Sequence, residues 1–161
     1  MTARLEKDCG LREGRDFVVR DMPHTEDFLC RIPHFEFENW AVLALGGIPN
    51  KAKVGDMGID GRIYPISGLP EPRGAARGEL GFIDHWYPIE VKQKDKAGRP
   101  DFDSFEAVMM RENRLKGCFV SFNFTSDAKA ETGSFFKRTG KMIIPLTVRE
   151  ILEEELAMKL A

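Results

Sequence analysis

The amino-acid sequence predicts one α/β domain in which helices cover both faces of a central mixed β-sheet. Its 161 residues are enough for one domain with a single sizeable core. In the C-terminal half, amphipathic helical segments alternate with short apolar segments that favour strands. In the N-terminal half, two β-prone segments are joined by a turn-rich connection, as in a hairpin. Alternation favours parallel strands and a hairpin is antiparallel, so we expect both orientations in one sheet.

Composition argues against a membrane protein. Hydrophobic residues make up 42% of the chain and charged residues 31%, and no apolar stretch approaches the length of a bilayer span. The polar N-terminus lacks the apolar core of a secretory signal, so we expect a cytoplasmic protein without a membrane partner. Cys9, Cys30 and Cys118 are too scattered for a disulfide framework or a zinc cluster, and we expect reduced thiols.

The chain is predicted to begin with an irregular extension over residues 1–30, followed by one domain over 31–161. The extension has mixed charges and no sustained period, apart from a short β-prone segment at 17–19. The first helix is predicted at "FENWAVLAL", residues 37–45, where apolar residues recur at helical spacing. The glycine pair at 46–47 ends this helix, because glycine tolerates the backbone conformation that closes a helix.

Two strands are predicted after this helix, over 61–66 and 86–94. They are separated by turn-rich residues 67–81. In the second strand, "WYPIEVKQK", successive side chains alternate between the two faces of the sheet. One face then carries Ile89, Val91 and Gln93, and the other carries Glu90, Lys92 and Lys94. The sequence therefore predicts a charged patch on one face of this strand.

The C-terminal half is predicted to alternate helices and strands. An amphipathic helix over 101–117 is followed by an apolar strand over 118–124 that we expect to be covered on both faces. The next helix begins at Ser126 or Asp127 and extends to about Arg138. Gly133 lies inside this segment, and we expect it to break or kink the helix.

The chain is predicted to end with a strand and a helix. The strand covers 141–146, and Pro145 either places it at the edge of the sheet or limits its length, because proline cannot donate to a strand ladder. Thr147 and Glu150 have the spacing of a capping box, which begins a helix. The apolar side of that helix consists of Val148, Ile151, Leu152 and Leu156.

Three residues of the two predicted strands together indicate a reaction. Asp60 stands at the start of one strand, Glu90 lies on the next, and Lys92 shares a face with Glu90. If the strands are neighbours, the two carboxylates meet and repel unless a cation lies between them. A hard ion such as Mg²⁺ suits oxygen ligands, and water bound to such an ion becomes a better nucleophile. With a lysine beside it, this set is suited to phosphodiester hydrolysis.

This pattern resembles that of the PD-(D/E)XK nuclease superfamily, in which an acid at the start of one strand precedes acid-x-Lys on the next. The matching segments are "GDMGIDGRIY" and "EVK". More closely, "FENWAVLALGGIPNKAKVGDMGIDGRIY" is similar to Mrr-like restriction endonuclease domains that accompany bacterial DNA methyltransferases. The similarity continues through "KAGRPDFDSF" to "IPLTVREIL" and covers roughly residues 22–153. One departure is Ile59, since the family often has proline before the first acid.

The resemblance implies a restriction endonuclease-like fold and a Mg²⁺-dependent DNA endonuclease, with Mn²⁺ as a substitute ion, within a restriction–modification system. Asp60 and Glu90 would bind the metal, Lys92 would be the catalytic cation, and the main-chain carbonyl of Val91 would join the coordination. The helix-borne Glu38 would be a further ligand. The implied partners are DNA and an associated DNA methyltransferase, and cutting two strands favours a homodimer.

A basic segment follows the acid-x-Lys motif. Lys94, Lys96 and Arg99 either contact the DNA phosphate backbone or belong to an ordinary solvated loop. The net charge of −2 does not by itself indicate a polyanionic partner. Glu90 and Lys92 could also be a solvated ion pair. Two other functions remain open: a catalytically silent DNA-binding module of the same fold, and a structure-specific repair nuclease of the junction resolvase type.

Overall fold

The computed structural model describes residues 25–50, 58–64 and 86–153. Several predicted features lie outside these residues. They are the β-prone segment at 17–19, the turn-rich connection at 67–81, Cys9, and Leu156 in the last helix. Most of the predicted extension over 1–30 also lies outside them.

A five-stranded mixed sheet forms the centre of the described structure. Its spatial order follows the chain order. The first three strands pair antiparallel, and the last three pair parallel. The strands are β1 (Ile48–Pro49), β2 (Gly61–Ile63), β3 (Tyr87–Val91), β4 (Lys116–Ser121) and β5 (Met142–Thr147). The predicted α/β class with a mixed sheet is therefore confirmed.

Helices pack on both faces of this sheet, as predicted. They are α1 (Glu26–Leu29), α2 (His34–Ala44), α3 (Arg99–Arg111), α4 (Ser126–Thr139) and α5 (Val148–Leu152). Apolar residues of α1, α2 and α5 form one core with Ile89 and Val91 of β3. Apolar residues of α3 and α4 form a second core around Phe119 of β4. β4 is thus covered on both faces, which confirms the prediction from its apolar sequence.

Some boundaries differ from those predicted. The helix α1 lies within the stretch predicted to be irregular, and its Leu29 is fully buried. The helix α3 begins two residues early, because Asp101 accepts a hydrogen bond from the N–H of Gly98 at 3.0 Å and caps the helix there. Helix α3 ends at Arg111, and strand β4 begins at Lys116.

Three predictions concern single residues, of which one is wrong and two are confirmed. Helix α4 runs without interruption through Gly133, so the predicted break is wrong. The strand β5 lies at the sheet edge, as Pro145 predicted. Thr147 and Glu150 form the predicted capping box, with Thr147 N–H donating to Glu150 Oε2 at 2.8 Å.

None of the helices in the described part of the chain combines the length and the apolar character that a bilayer span requires.

Cys30 is an exposed free thiol and Cys118 a buried one. Burial raises the pKa of the Cys118 thiol to about 12, which makes it unreactive at neutral pH.

Candidate active site

The carboxylate of Asp60 is fixed beside β3 at the point where the β2–β3 ladder ends. The last ladder pair is Gly61 with Ile89. One residue further, the N–H of Asp60 donates to Ile89 O at 2.9 Å, and Asp60 Oδ2 accepts from the N–H of Val91 at 2.6 Å. The side chain thus takes the place that a backbone acceptor would have if β2 continued.

Glu90 and Lys92 lie on one face of β3, as the period of two predicted. Lys92 Nζ forms an ion pair with Glu90 Oε1 at 2.8 Å. The Glu90 side chain is 4% exposed and that of Lys92 is 32% exposed. The Glu90 carboxylate is therefore buried, whereas the Lys92 side chain is partly exposed to solvent. Because Glu90 is buried, this ion pair does not lie on a fully solvated face, in contrast to the solvated ion pair that the sequence also allows.

The charges at this site act on one another. Burial raises the pKa of Asp60 to about 7, and the negative charges of Glu38 and Glu90 raise it as well. The hydrogen bond from Val91 and the charge of Lys92 oppose this rise. Asp60 is therefore close enough to both other acids for their charges to disfavour its ionised form.

The pKa of Lys92 is also raised, although burial acts in the opposite direction on its ammonium group. Burial lowers the pKa of its ammonium group, but the hydrogen bond to Glu90 and the negative charges of Glu90 and Asp60 outweigh burial, so the pKa is raised. Lys92 is therefore protonated at neutral pH and is a hydrogen-bond donor rather than a base.

The chain segment before Asp60 closes over Glu90. Gly58 has φ +82°, and a Cβ atom at this position would lie 3.6 Å from Glu90 Oε2 and 3.1 Å from Val108 Cγ2. Backbone therefore packs directly between the carboxylate and helix α3. Only glycine combines this conformation with this close approach at low cost.

Glu38 reaches the site from helix α2. Its carboxylate lies 2.9 Å from His34 Nε2, one helical turn earlier, and its side chain is 22% exposed. Its charge is the largest electrostatic contribution from another acid to the pKa of Asp60. The structure thus joins Lys92 to Glu90 by an ion pair and joins Asp60 to the same strand by a hydrogen bond. Glu38 is near enough to Asp60 for its charge to act there.

The main-chain carbonyl of Val91 can add an oxygen ligand. In an extended strand, the N–H and C=O of one residue point to the same neighbouring strand. Since the N–H of Val91 donates to Asp60, its carbonyl faces that side as well, beyond the last pair with β2. The next N–H, that of Lys92, donates to Val120 O of β4, which confirms the alternation.

The donor set fits Mg²⁺ better than a transition metal. Within the described ranges, no three His, Cys, Asp or Glu side chains gather closely enough to hold an ion among themselves. Mg²⁺ does not require such a cage, because it commonly uses one or two carboxylates and retains several waters. Asp60 and Glu90 could supply those carboxylates, and Glu38 could act through water. Zinc would require a more complete set of side-chain ligands.

The three predicted DNA-contacting cations differ in their surroundings. Lys94 forms an ion pair with Asp101 at 2.6 Å. Arg99 lies 3.1 Å from Glu131 of α4. Lys96 is exposed to solvent. The structure therefore gives Lys94 and Arg99 acidic partners within the protein.

Sequence reasoning missed two residues that contact the predicted set. His34 contacts Glu38, and the signal for this was its position four residues earlier on one helix. Asp101 contacts Lys94, and its position three residues after Gly98 is the spacing of a helix cap. Gln93 lies on the other face of the predicted strand and has no predicted catalytic role. Its Nε2 donates to Leu29 O at 2.9 Å, at the end of α1.

Trp86 packs in the core with residues of α3 and α4. It is 9% exposed, and the guanidinium groups of Arg62 and Arg114 lie over its ring at 4.8 and 4.1 Å from the centroid. With cations over the indole ring, stacking on a DNA base would require these side chains to move.

A scan against protein-family models matches no family, and a search of curated proteins finds no significantly similar protein. The resemblance to PD-(D/E)XK nucleases therefore rests on the sequence motifs, and the family stays a prediction.

Proposed function

We propose that the protein is a Mg²⁺-dependent DNA endonuclease of restriction endonuclease-like fold. The observation that carries this proposal is the meeting of Asp60, Glu90 and Lys92 at the end of the β2–β3 ladder. Asp60 is separated in the chain from Glu90 and Lys92, and its hydrogen bond to the Val91 N–H depends on the register of two strands. A buried glutamate and a half-buried aspartate with one lysine are a combination that phosphodiester hydrolysis uses.

Each residue of the site has a role in this proposal. Asp60, Glu90 and the Val91 carbonyl would hold the ion, with Glu38 as an outer ligand through water. When bound, Mg²⁺ would activate a water molecule and neutralise charge that develops on the phosphate. Lys92 keeps its proton and can donate it in a hydrogen bond to the attacking water or to a phosphate oxygen.

DNA as the substrate, a restriction–modification setting and a DNA methyltransferase partner are supported by the sequence resemblance. A cytoplasmic location and a homodimer that cuts both strands are consistent with this setting. The basic residues Lys94, Lys96 and Arg99 border the site in sequence and are proposed to contact the phosphate backbone.

Nicking of supercoiled plasmid DNA with Mg²⁺ tests the proposal. Lys92→Met keeps the length and apolar stem of the side chain and removes its charge, and we expect the rate to fall by roughly 10²- to 10³-fold. The matched control is Lys129→Met, in the chain's other acid-x-Lys tripeptide, where Lys129 is exposed on α4. We expect this variant to cut normally. Unchanged nicking by Lys92→Met would contradict the mechanism.

A comparison of several DNA substrates distinguishes the restriction endonuclease from the junction resolvase and from the silent binding module. Linear, supercoiled, methylated and branched DNA are compared under the same conditions. Preference for branched DNA would favour a junction resolvase, and binding of DNA without metal-dependent cutting would favour a silent binding module.

A further inference from the structure

Asp101 holds the basic segment that follows the proposed active site. It lies in the first turn of α3 and its side chain is 16% exposed. Oδ1 accepts a hydrogen bond from Lys94 Nζ at 2.6 Å, and Oδ2 accepts from the N–H of Gly98 at 3.0 Å. One carboxylate therefore caps the helix and binds the first cation after Lys92.

Asp101 is ionised at neutral pH. Burial favours its neutral form, but the hydrogen bonds from Lys94 and Gly98 and the positive charges of Lys94 and Lys92 outweigh burial and lower its pKa. The contact with Lys94 is thus a charged pair, and it cancels positive charge at the surface beside the active site.

Only the side chain of Lys94 is free to exchange partners. Its main-chain carbonyl accepts from the N–H of Phe122 at 3.3 Å and from Ser121 Oγ at 3.0 Å, so its backbone is attached to the end of β4. The side chain is 53% exposed. Rotation about its own bonds could move the ammonium group from Asp101 to an anion in solvent without any backbone change.

We propose that Asp101 competes internally with DNA phosphate for Lys94, so that a phosphate gains this contact only by displacing the carboxylate. This inference rests on the proposed function, because it concerns the substrate of the same site. Its consequence is weaker binding to DNA in general, since Lys94 is available only where a phosphate comes close enough to replace Asp101.

Salt-dependent DNA binding of Asp101→Asn tests this competition. Asparagine can still accept from Gly98 N–H with its carbonyl oxygen, while its amide group would face Lys94 and release it. Binding of a duplex is measured between about 50 and 200 mM salt, with Ca²⁺ in place of Mg²⁺ and with DNA integrity checked on denaturing gels. One additional phosphate contact should tighten binding by roughly three- to tenfold near 0.1 M salt and steepen the slope of log K against log salt by about 0.9.

Two further variants make the test specific. Asp127→Asn removes an exposed acid from the first turn of α4, and we expect no change of slope. Lys94→Gln combined with Asp101→Asn should abolish the gain, because no cation is left to release. Equal slopes for Asp101→Asn and the wild type would overturn the inference, and if Mg²⁺-dependent nicking persists, the proposed function stands. Absence of both DNA binding and nicking would overturn both.

Discussion

In the described part of the chain, buried and half-buried carboxylates form two clusters whose positive partners are arranged differently. The helix cluster joins α3 and α4 and consists of Arg99, Glu106, Glu131 and Arg138. Arg138 Nη2 lies 2.8 Å from Glu106 Oε2, and its Nη1 lies 3.2 Å from Glu131 Oε1. Arg99 Nη2 lies 3.1 Å from Glu131 Oε2. Arg99 Nε also lies 3.6 Å from Asp103 Oδ1. Each of these acids thus lies within ion-pair distance of a guanidinium group.

The strand cluster consists of Glu38, Asp60, Glu90 and Lys92. Here the charges that act most strongly on Asp60 are those of two acids and one lysine. Burial raises the pKa of Asp60 most, and the charges of Glu38 and Glu90 raise it further. The comparison shows that acid burial alone does not indicate a site. What distinguishes the strand cluster is Asp60, whose carboxylate accepts a hydrogen bond from the Val91 N–H but has no cation within ion-pair distance among the described residues. A divalent ion would supply that positive charge.

The largest expected difference between the clusters is in metal binding. Asp60→Asn and Glu90→Gln should each weaken Mn²⁺ binding by more than roughly 100-fold, since each removes a proposed ligand charge. Glu131→Gln, in the helix cluster, should leave Mn²⁺ binding unchanged. Calorimetric titration of the three variants measures this. Normal Mn²⁺ uptake by Asp60→Asn would remove the basis for distinguishing the clusters.

The second expected difference is in the pH dependence of stability without metal. The pKa of Asp60 is about 7 in the folded protein and about 3.8 without the fold. The folded state therefore holds a proton that the unfolded state releases, so the contribution of Asp60 to the free energy of unfolding is complete below about pH 4 and is lost as the pH rises to about 7. Each unit of pKa difference corresponds to about 1.4 kcal/mol.

Urea unfolding of the wild type and Asp60→Asn from pH 4 to 8 measures this loss. Asparagine keeps an acceptor for the Val91 N–H and cannot ionise, so the wild type should lose stability relative to the variant as the pH rises. Parallel profiles would show that Asp60 titrates normally and that neither burial nor the neighbouring acids raise its pKa.

The strand cluster could be predicted from the sequence because its geometry follows from strand periodicity. Side chains two residues apart on a strand share a face, which fixes Glu90 and Lys92. An acid at the start of the neighbouring strand then lies at the same edge, which fixes Asp60. Neither step requires knowledge of how helices pack, whereas Glu38 lies on helix α2 and was predicted only from the family resemblance.

The helix cluster could not be predicted, because its contacts depend on the packing of α3 against α4. Glu106 and Arg138 are 32 residues apart, and no local pattern joins them. The ion pair of Arg99 with Glu131 likewise depends on this packing, and the DNA contact of Arg99 stays a prediction. Gly117 was interpreted as a helix end for a similar reason. It lies in β4, where a Cβ atom would clash with Phe105 of α3.

The third difference is in stability at one pH. Arg138→Met removes the cation between Glu106 and Glu131, and we expect the free energy of unfolding to fall by about 2 kcal/mol, because Glu106 loses its ion-pair partner and Glu131 keeps only Arg99. Lys137→Met, at the neighbouring exposed position, should change it by less than about 0.5 kcal/mol. Plasmid nicking should be unaffected in both variants. Equal stability of the two variants would show that the helix cluster contributes little.

The smallest expected effect concerns the glycine that closes the strand cluster. Gly58→Ala places a methyl group against Val108 and near Glu90 Oε2, at a backbone φ of +82°. The φ angle alone costs an alanine about 1 kcal/mol. Gly140→Ala is the matched control, because Gly140 has φ +72° with no atom within 4 Å of the added methyl group. Both variants should therefore lose a similar amount of stability, with a little more lost at Gly58.

Only Gly58→Ala should also slow nicking, since the displaced backbone would shift the Glu90 carboxylate. Equal nicking rates for the two variants would show that the segment before Asp60 covers Glu90 without positioning it.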